Sequence, residues 1–292
     1  MKLEFTKMHG AGNDFVMIED LKGRITLEPG KIAALCHRNL GIGADGLMLL
    51  RKPSKSEKRD HPKLDARMVY FNSDGSRAEM CGNGARCFAA FAIANGLGRR
   101  DKVRFLTDAG VITATPGELG YTIQMTPPHD IRIGERIDLA SGKATIHYLN
   151  TGVPHAVKFV PDVSKVSIRT EGRELRVHPA WGPKGANANF VQIRGGGQPL
   201  LVRTYERGVE DETLACGTGV TAAAIAAHLA HGVALPIRLQ VTGGDVLEVN
   251  FSTQDAPRRA KGAKAGGNTA PVVKDVTLSG PAVVVYKGSV RI

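Results

Sequence analysis

Phe71-Asn-Ser-Asp-Gly-Ser-Arg-Ala-Glu-Met-Cys81-Gly-Asn-Gly84 and Glu206-Arg-Gly-Val-Glu-Asp-Glu-Thr-Leu-Ala-Cys216-Gly-Thr-Gly219 are two versions of one phrase. Each leaves a strand-like run, passes an acidic turn, reaches Cys-Gly-x-Gly and opens an Ala-rich stretch of helical period. The stretch after the first cysteine stops at Asn95-Gly96 and the one after the second at Gly232. A motif of this length at matching places in two halves indicates an internal duplication.

Outward from these turns the same grammar continues. Short apolar runs bounded by turn residues predict strands at 3–8, 15–18, 47–50, 66–71, 102–107, 111–115 and 121–125. A helix is expected at 31–39 after Pro29, and the stretch 51–63 reads as a polar loop. Beyond Pro127-Pro128 the strand pattern resumes at 131–138, 144–149, 156–159, 174–177, 190–194 and 200–205, then at 238–242, 246–251, 276–279 and 282–286. Residues 252–274, rich in Gly, Ala, Lys, Arg and Pro without apolar period, read as a mobile basic extension. The fold class is α/β (α+β) with two pseudo-symmetric halves.

The chain has 292 residues and a formal charge of +11. Much of that charge falls in 51–63 and 258–274, without interleaved aromatics on which bases could stack, so nucleic acid is not expected as a partner. No apolar run is long enough for a bilayer and the N-terminus lacks a signal pattern, so a cytoplasmic protein is expected, with no membrane partner. The four cysteines, Cys36, Cys81, Cys87 and Cys216, form no CxxC pair and no zinc spacing. Neither a disulfide framework nor a metal is expected. Cys36 and Cys87 lie in apolar helical patterns and read as packing residues.

Cys-Gly-x-Gly at a helix start carries a specific chemistry. The first N–H groups of the helix have no intrahelical acceptor and, with the dipole, favour an anion such as a carboxylate. Glycines let that anion approach the backbone. A cysteine there feels the same positive end, which favours thiolate. Two such units could place a sulfur on each face of an amino-acid α-carbon, one as base and one as acid, for inversion through a planar carbanion.

Six motifs in order make the chain resemble the diaminopimelate epimerase family: HGAGNDF at 9–15, GIGADG at 41–46, FNSDGSRAEMCGNGARC at 71–87, NANFVQI at 187–193, YERGVEDETLACGTG at 205–219 and LSGPAVVVYKG at 278–288. The resemblance implies two domains, 1–127 with 278–292 and 128–277, each a β-barrel-like sheet around a central helix, with the substrate in the cleft between them. It implies a pyridoxal-independent enzyme with no cofactor, interconverting LL- and meso-diaminopimelate for lysine and peptidoglycan precursors. It makes Cys81 and Cys216 the acid/base pair, with Cys81 the base for the LL isomer. The reacting α-carboxylate and ammonium fall to Asn72, Gly82, Asn83, Glu206, Gly217 and Thr218, and the distal end to Asn13, Asn187 and Arg207. His155 and Glu206 are the residues expected to modulate the thiol pKa. The expected partners are this small substrate and, as a homodimer, a second copy of the chain.

Two positions depart from the family pattern. Val153 stands where GNPH-type motifs carry Asn, with Thr151 the candidate replacement, and Gly46 stands where a Gln is common. Three other readings compete: a proline or hydroxyproline racemase of the same mechanism, a thiol redox enzyme acting through Cys81, and a basic binding protein that merely keeps the fold.

Overall fold

In a computed structural model, residues 2–99, 101–254 and 271–292 are described. The chain divides into two compact units, Met1–Gln124 with Ser279–Ile292, and Met125–Leu278. The first contains β1 (Lys2–Gly10), β2 (Asn13–Glu19), α1 (Pro29–Cys36), β3 (Gly46–Arg51), α2 (Lys55–Asp60), β4 (Ala66–Asn72), β5 (Arg77–Ala78), α3 (Gly82–Ala94), β6 (Val103–Thr107), β7 (Gly110–Gly117) and β8 (Gly120–Gln124). The second contains β9 (His129–Leu139), β10 (Gly142–Asn150), β11 (Pro154–Phe159), α4 (Ile168–Arg176), β12 (Asn187–Gln192), β13 (Leu200–Glu206), β14 (Asp211–Thr213), α5 (Gly217–His231), β15 (Ile237–Gln240) and β16 (Val246–Gln254). β17 (Val272–Gly280) ends it, and β18 (Val283–Arg291) returns to pair with β1 in the first unit.

The ladders repeat. In the first unit β1–β2 is antiparallel, β2–β3 parallel, β3–β4 antiparallel and β4–β6 parallel. In the second, β10–β11, β11–β12, β12–β13 and β13–β15 follow the same order of senses. A parallel pair needs a crossover. The crossover from β2 to β3 carries α1 and that from β4 to β6 carries α3; α4 and α5 do the same work in the second unit.

α3 packs against β1, β2, β3, β6, β7 and β8, and α5 against β9 to β13, β15 and β16. A helix surrounded by sheet must be apolar on every side. Their sequences, GNGARCFAAFAIA and GTGVTAAAIAAHLAH, meet that demand mostly with small and apolar residues; each helix buries nine, the nine of α3 including Asn83 and Arg86, which are hydrogen-bonded to each other. The outer sheet face is covered separately. Ile32 and Leu35 of α1 pack on Val16, Ile18, Leu47 and Leu49, and Ile168 and Leu175 of α4 pack on Ala156, Ala188 and Phe190.

Three expectations need correction. Residues 174–177 are not a strand but the end of α4 and its cap. The buried set Ile168, Gly172 and Leu175 has helical spacing, and Gly172 is needed because a Cβ would meet the Tyr205 side chain at 2.6 Å. The polar loop at 51–63 contains α2, started by a capping box in which Ser54 Oγ accepts from Glu57 N and Glu57 returns to Ser54 N. Of the basic extension, 252–254 and 272–274 are strand, and 255–270 lie outside the described residues.

Among the described residues no helix is long and apolar enough to cross a membrane.

Candidate active site

Cys81 and Cys216 are each the N-cap of a central helix. Both have extended backbone, with φ and ψ of −138° and 128° at Cys81 and −118° and 107° at Cys216. Neither side chain caps its own helix. Their carbonyls instead start the helical ladder, accepting from Ala85 N at 2.7 Å and Val220 N at 2.9 Å. The sulfurs are therefore held at the positive end of a dipole without being spent on it.

In the first unit the Cys81 thiol donates to Asn13 Oδ1 at 3.3 Å. Asn13 Nδ2 donates to Asp45 Oδ2 at 2.5 Å, and a carboxylate can only accept, so the amide presents its oxygen to sulfur. Asp45 is gripped by Arg38 at 2.6 Å, and Arg38 also takes Asp14 through two 3.0 Å bonds. Burial would raise the pKa of Asp14, but hydrogen bonds from Arg38 and Lys7 outweigh it and hold it below the usual carboxylate range. Asp45 and Arg38 are supports that sequence reasoning misses. The Asp in GIGADG was the available signal.

Asn83 lies in the first turn of α3. Its side chain is buried and its Oδ1 accepts from Arg86 Nη2 at 2.7 Å, so what Asn83 can offer a ligand is its backbone. Asn72 ends β4 opposite Gly46 and donates to Ser76 Oγ at 3.0 Å within the turn before Cys81. At Gly46 a Cβ would meet Phe71 O at 2.6 Å and the Tyr70 ring at 2.7 Å. No glutamine fits there without moving Tyr70.

In the second unit Cys216 Sγ lies 3.5 Å from Thr218 Oγ1. Thr151, the candidate substitute at the Val153 loop, is buried and donates to Thr218 O at 2.9 Å, so its hydroxyl braces the helix start instead. Asn187 spans two segments: Nδ2 donates to Pro154 O at 3.0 Å and Oδ1 accepts from Arg207 N at 2.8 Å. That places Arg207, whose Nη1 donates to Gly185 O at 3.4 Å, at a fixed point after β13. Glu206 Oε2 accepts from Thr213 Oγ1 at 2.9 Å across the β13–β14 hairpin.

His155 is fully buried on β11. Burial, and then the Arg207 cation, push its pKa down to about 3, so it is neutral near pH 7. The unfolded histidine titrates near the ordinary value, about 6.5. The folded state therefore binds fewer protons than the unfolded one between those values, so stability is fully present above about pH 6.5 and is lost as pH falls toward 3. Acid titration of the unfolding free energy should show this decline, and His155→Gln should reduce its slope.

Cys36 and Cys87 are buried, and burial raises their thiols to about 11 and about 12. With intact protein, iodoacetamide followed by peptide mass mapping should label half-buried Cys81 and spare Cys36 and Cys87 until denaturant is added. Among the described residues no group of three His, Cys, Asp or Glu could hold a metal ion.

The fold is shared with solved structures of low sequence identity. The PhzF-family phenazine biosynthesis protein of Bacillus anthracis matches with a TM-score of 0.70 at 15% identity, covering 100% of both chains. A hydroxyproline epimerase from Agrobacterium vitis matches at 0.63 and 16% identity, covering 99% of this chain and 92% of that one. At sequence level, the diaminopimelate epimerase family model matches residues 5–129 and 147–264. The Aquifex aeolicus diaminopimelate epimerase is 44% identical over 262 residues, 86% of this chain and 90% of the relative. That of Chlorobaculum tepidum is 36% identical, covering 98% of this chain and 100% of the relative. The chain belongs to the diaminopimelate epimerase family.

Proposed function

We propose that the protein interconverts LL- and meso-diaminopimelate without a cofactor, Cys81 and Cys216 acting as base and acid. The observation that carries the reading is the repeat of one unit: a cysteine N-cap whose side chain makes no capping hydrogen bond, on a central helix of each half. The family and the relatives' names supply the substrate.

The chemistry runs as a balanced proton transfer. For the LL isomer, the Cys81 thiolate takes the α-hydrogen as a proton and becomes a thiol. The carbanion, conjugated with its carboxylate, accepts a proton from the Cys216 thiol on the opposite face, leaving a thiolate there. The reverse reaction exchanges the roles. Backbone N–H groups of Gly82, Asn83, Gly217 and Thr218 are suited to the carboxylate as its charge develops. Arg207 supplies a fork for the distal carboxylate and Glu206 an acceptor for an ammonium. The same reading places the enzyme in the cytoplasm, where thiols stay reduced.

The test is solvent exchange. In deuterium oxide the enzyme should put deuterium at Cα of diaminopimelate. Exchange confined to proline or hydroxyproline would replace this substrate with the ring amino acids.

A further inference from the structure

The two halves depart from their repeat beneath the cysteine turns. The β2–β3 ladder pairs Phe15 with Gly46 and the β11–β12 ladder pairs His155 with Asn187. Met48 pairs with Tyr70, and Asn189 with Thr204. Phe15, Met48 and Tyr70 thus hold the ladder positions that His155, Asn189 and Thr204 hold in the second unit, and all six are buried. A Cβ on Gly84 would collide with Met48 Cε, and one on Gly219 with Asn189 Oδ1. The same spot under the helix start is filled by Phe15, Met48 and the Tyr70 ring in one half and by a hydrogen-bonded triad in the other.

The triad has a direction. Asn189 Nδ2 faces His155 Nδ1 at 3.1 Å, Ala156 O at 3.2 Å and Asn187 O at 3.3 Å. Two backbone carbonyls can only accept, so the atom facing them is the NH2 group. On the other side, Thr204 Oγ1 donates to Asn189 Oδ1 at 2.9 Å and holds that orientation. An amide nitrogen cannot accept, so His155 Nδ1 must be bare. The proton of the neutral ring is then on Nε2, a buried atom with no hydrogen-bond partner. A buried donor left unsatisfied is unfavourable. That cost is recovered when an acceptor arrives.

We propose that Asn189, oriented by Thr204, is a positioning residue that locks His155 as the Nε2–H tautomer, making it a hydrogen-bond donor to an anionic acceptor during turnover rather than a base. The acceptor is a thiolate or a substrate carboxylate. The catalytic consequence rests on the epimerase reading; the tautomer does not.

The test uses full-length protein with 15N-labelled histidine. His155 should show a protonated Nε2 and a bare Nδ1 from neutral pH down to about 4. Asn189→Asp, which offers Nδ1 an acceptor in place of a donor, should invert the tautomer and lower kcat/KM by about tenfold or more. A loss in kcat assigns the acceptor to a thiolate, and a rise in KM assigns it to the substrate. Thr204→Val should weaken the preference and Thr204→Ser should retain it, which keeps the test open if Asn189→Asp does not fold. A wild-type ring protonated on Nδ1 overturns the proposal, as does inversion in Asn189→Asp without loss of kcat/KM. If the wild type shows the expected tautomer but exchanges no α-proton of diaminopimelate, the functional reading fails and the tautomer assignment stands.

Discussion

Replacing either Cys81 or Cys216 by alanine is expected to lower kcat for epimerisation by about a thousandfold in both directions, with the fold intact. Positioned acid/base groups contribute roughly 10²–10⁴-fold. In the proposed mechanism each sulfur serves as base in one direction and acid in the other, so neither direction should survive the loss of one. Little stability should go with it. Neither side chain caps its helix. The change in unfolding free energy should stay within about 1 kcal/mol. Cys216→Ser separates chemistry from packing, because a nearly isosteric hydroxyl does not ionise near neutrality. It should be as inactive as alanine. Activity within about tenfold of wild type in either alanine variant would remove that cysteine from the mechanism.

Arg86→Ala is expected to produce the largest loss of stability, about 3 kcal/mol or more. Arg86 is the largest fully buried side chain described. Its guanidinium donates to Asn83 Oδ1 at 2.7 Å, to Gly82 O at 3.5 Å and to Pro281 O at 3.4 Å. It thereby joins the first turn of α3 to the segment that leads into β18. Truncation opens a cavity and strands buried acceptors, costs that add. Because Gly82 and Asn83 follow Cys81 directly, kcat should fall as well. Urea denaturation measures the first effect; a loss below about 1 kcal/mol would show that the acceptors find other donors.

Much of the fold is legible because its signals are local. The strands alternate or run apolar between turn residues, and Asn95 and Gly232 stop α3 and α5 as caps, Gly232 with φ of 66°. The cysteine turns are legible for the same reason. What escapes is set by residues distant in sequence. Four residues at 174–177 look like a strand until Ile168 and Gly172 are included, and the closeness of Gly172 to Tyr205 decides the packing. Asn83 sits in the motif that suggests a ligand contact, yet the buried Arg86 three residues on takes its side chain. The His155, Asn189 and Thr204 triad comes from three strands, and only the matching ladder registers reveal Phe15, Met48 and Tyr70 as its counterparts. In the α2 region the signal Ser54-x-x-Glu57 is present and short, and the surrounding charge hides it.

The two-cysteine mechanism is tested most directly by the place where solvent deuterium first appears. With LL-diaminopimelate in deuterium oxide and only a few per cent converted, the meso product should carry deuterium at the inverted carbon while recovered LL substrate carries almost none. That is the mark of separate groups removing and returning the proton. Product that keeps the original hydrogen would mean one group carries it from face to face, and would contradict the assignment of Cys81 and Cys216 as a pair.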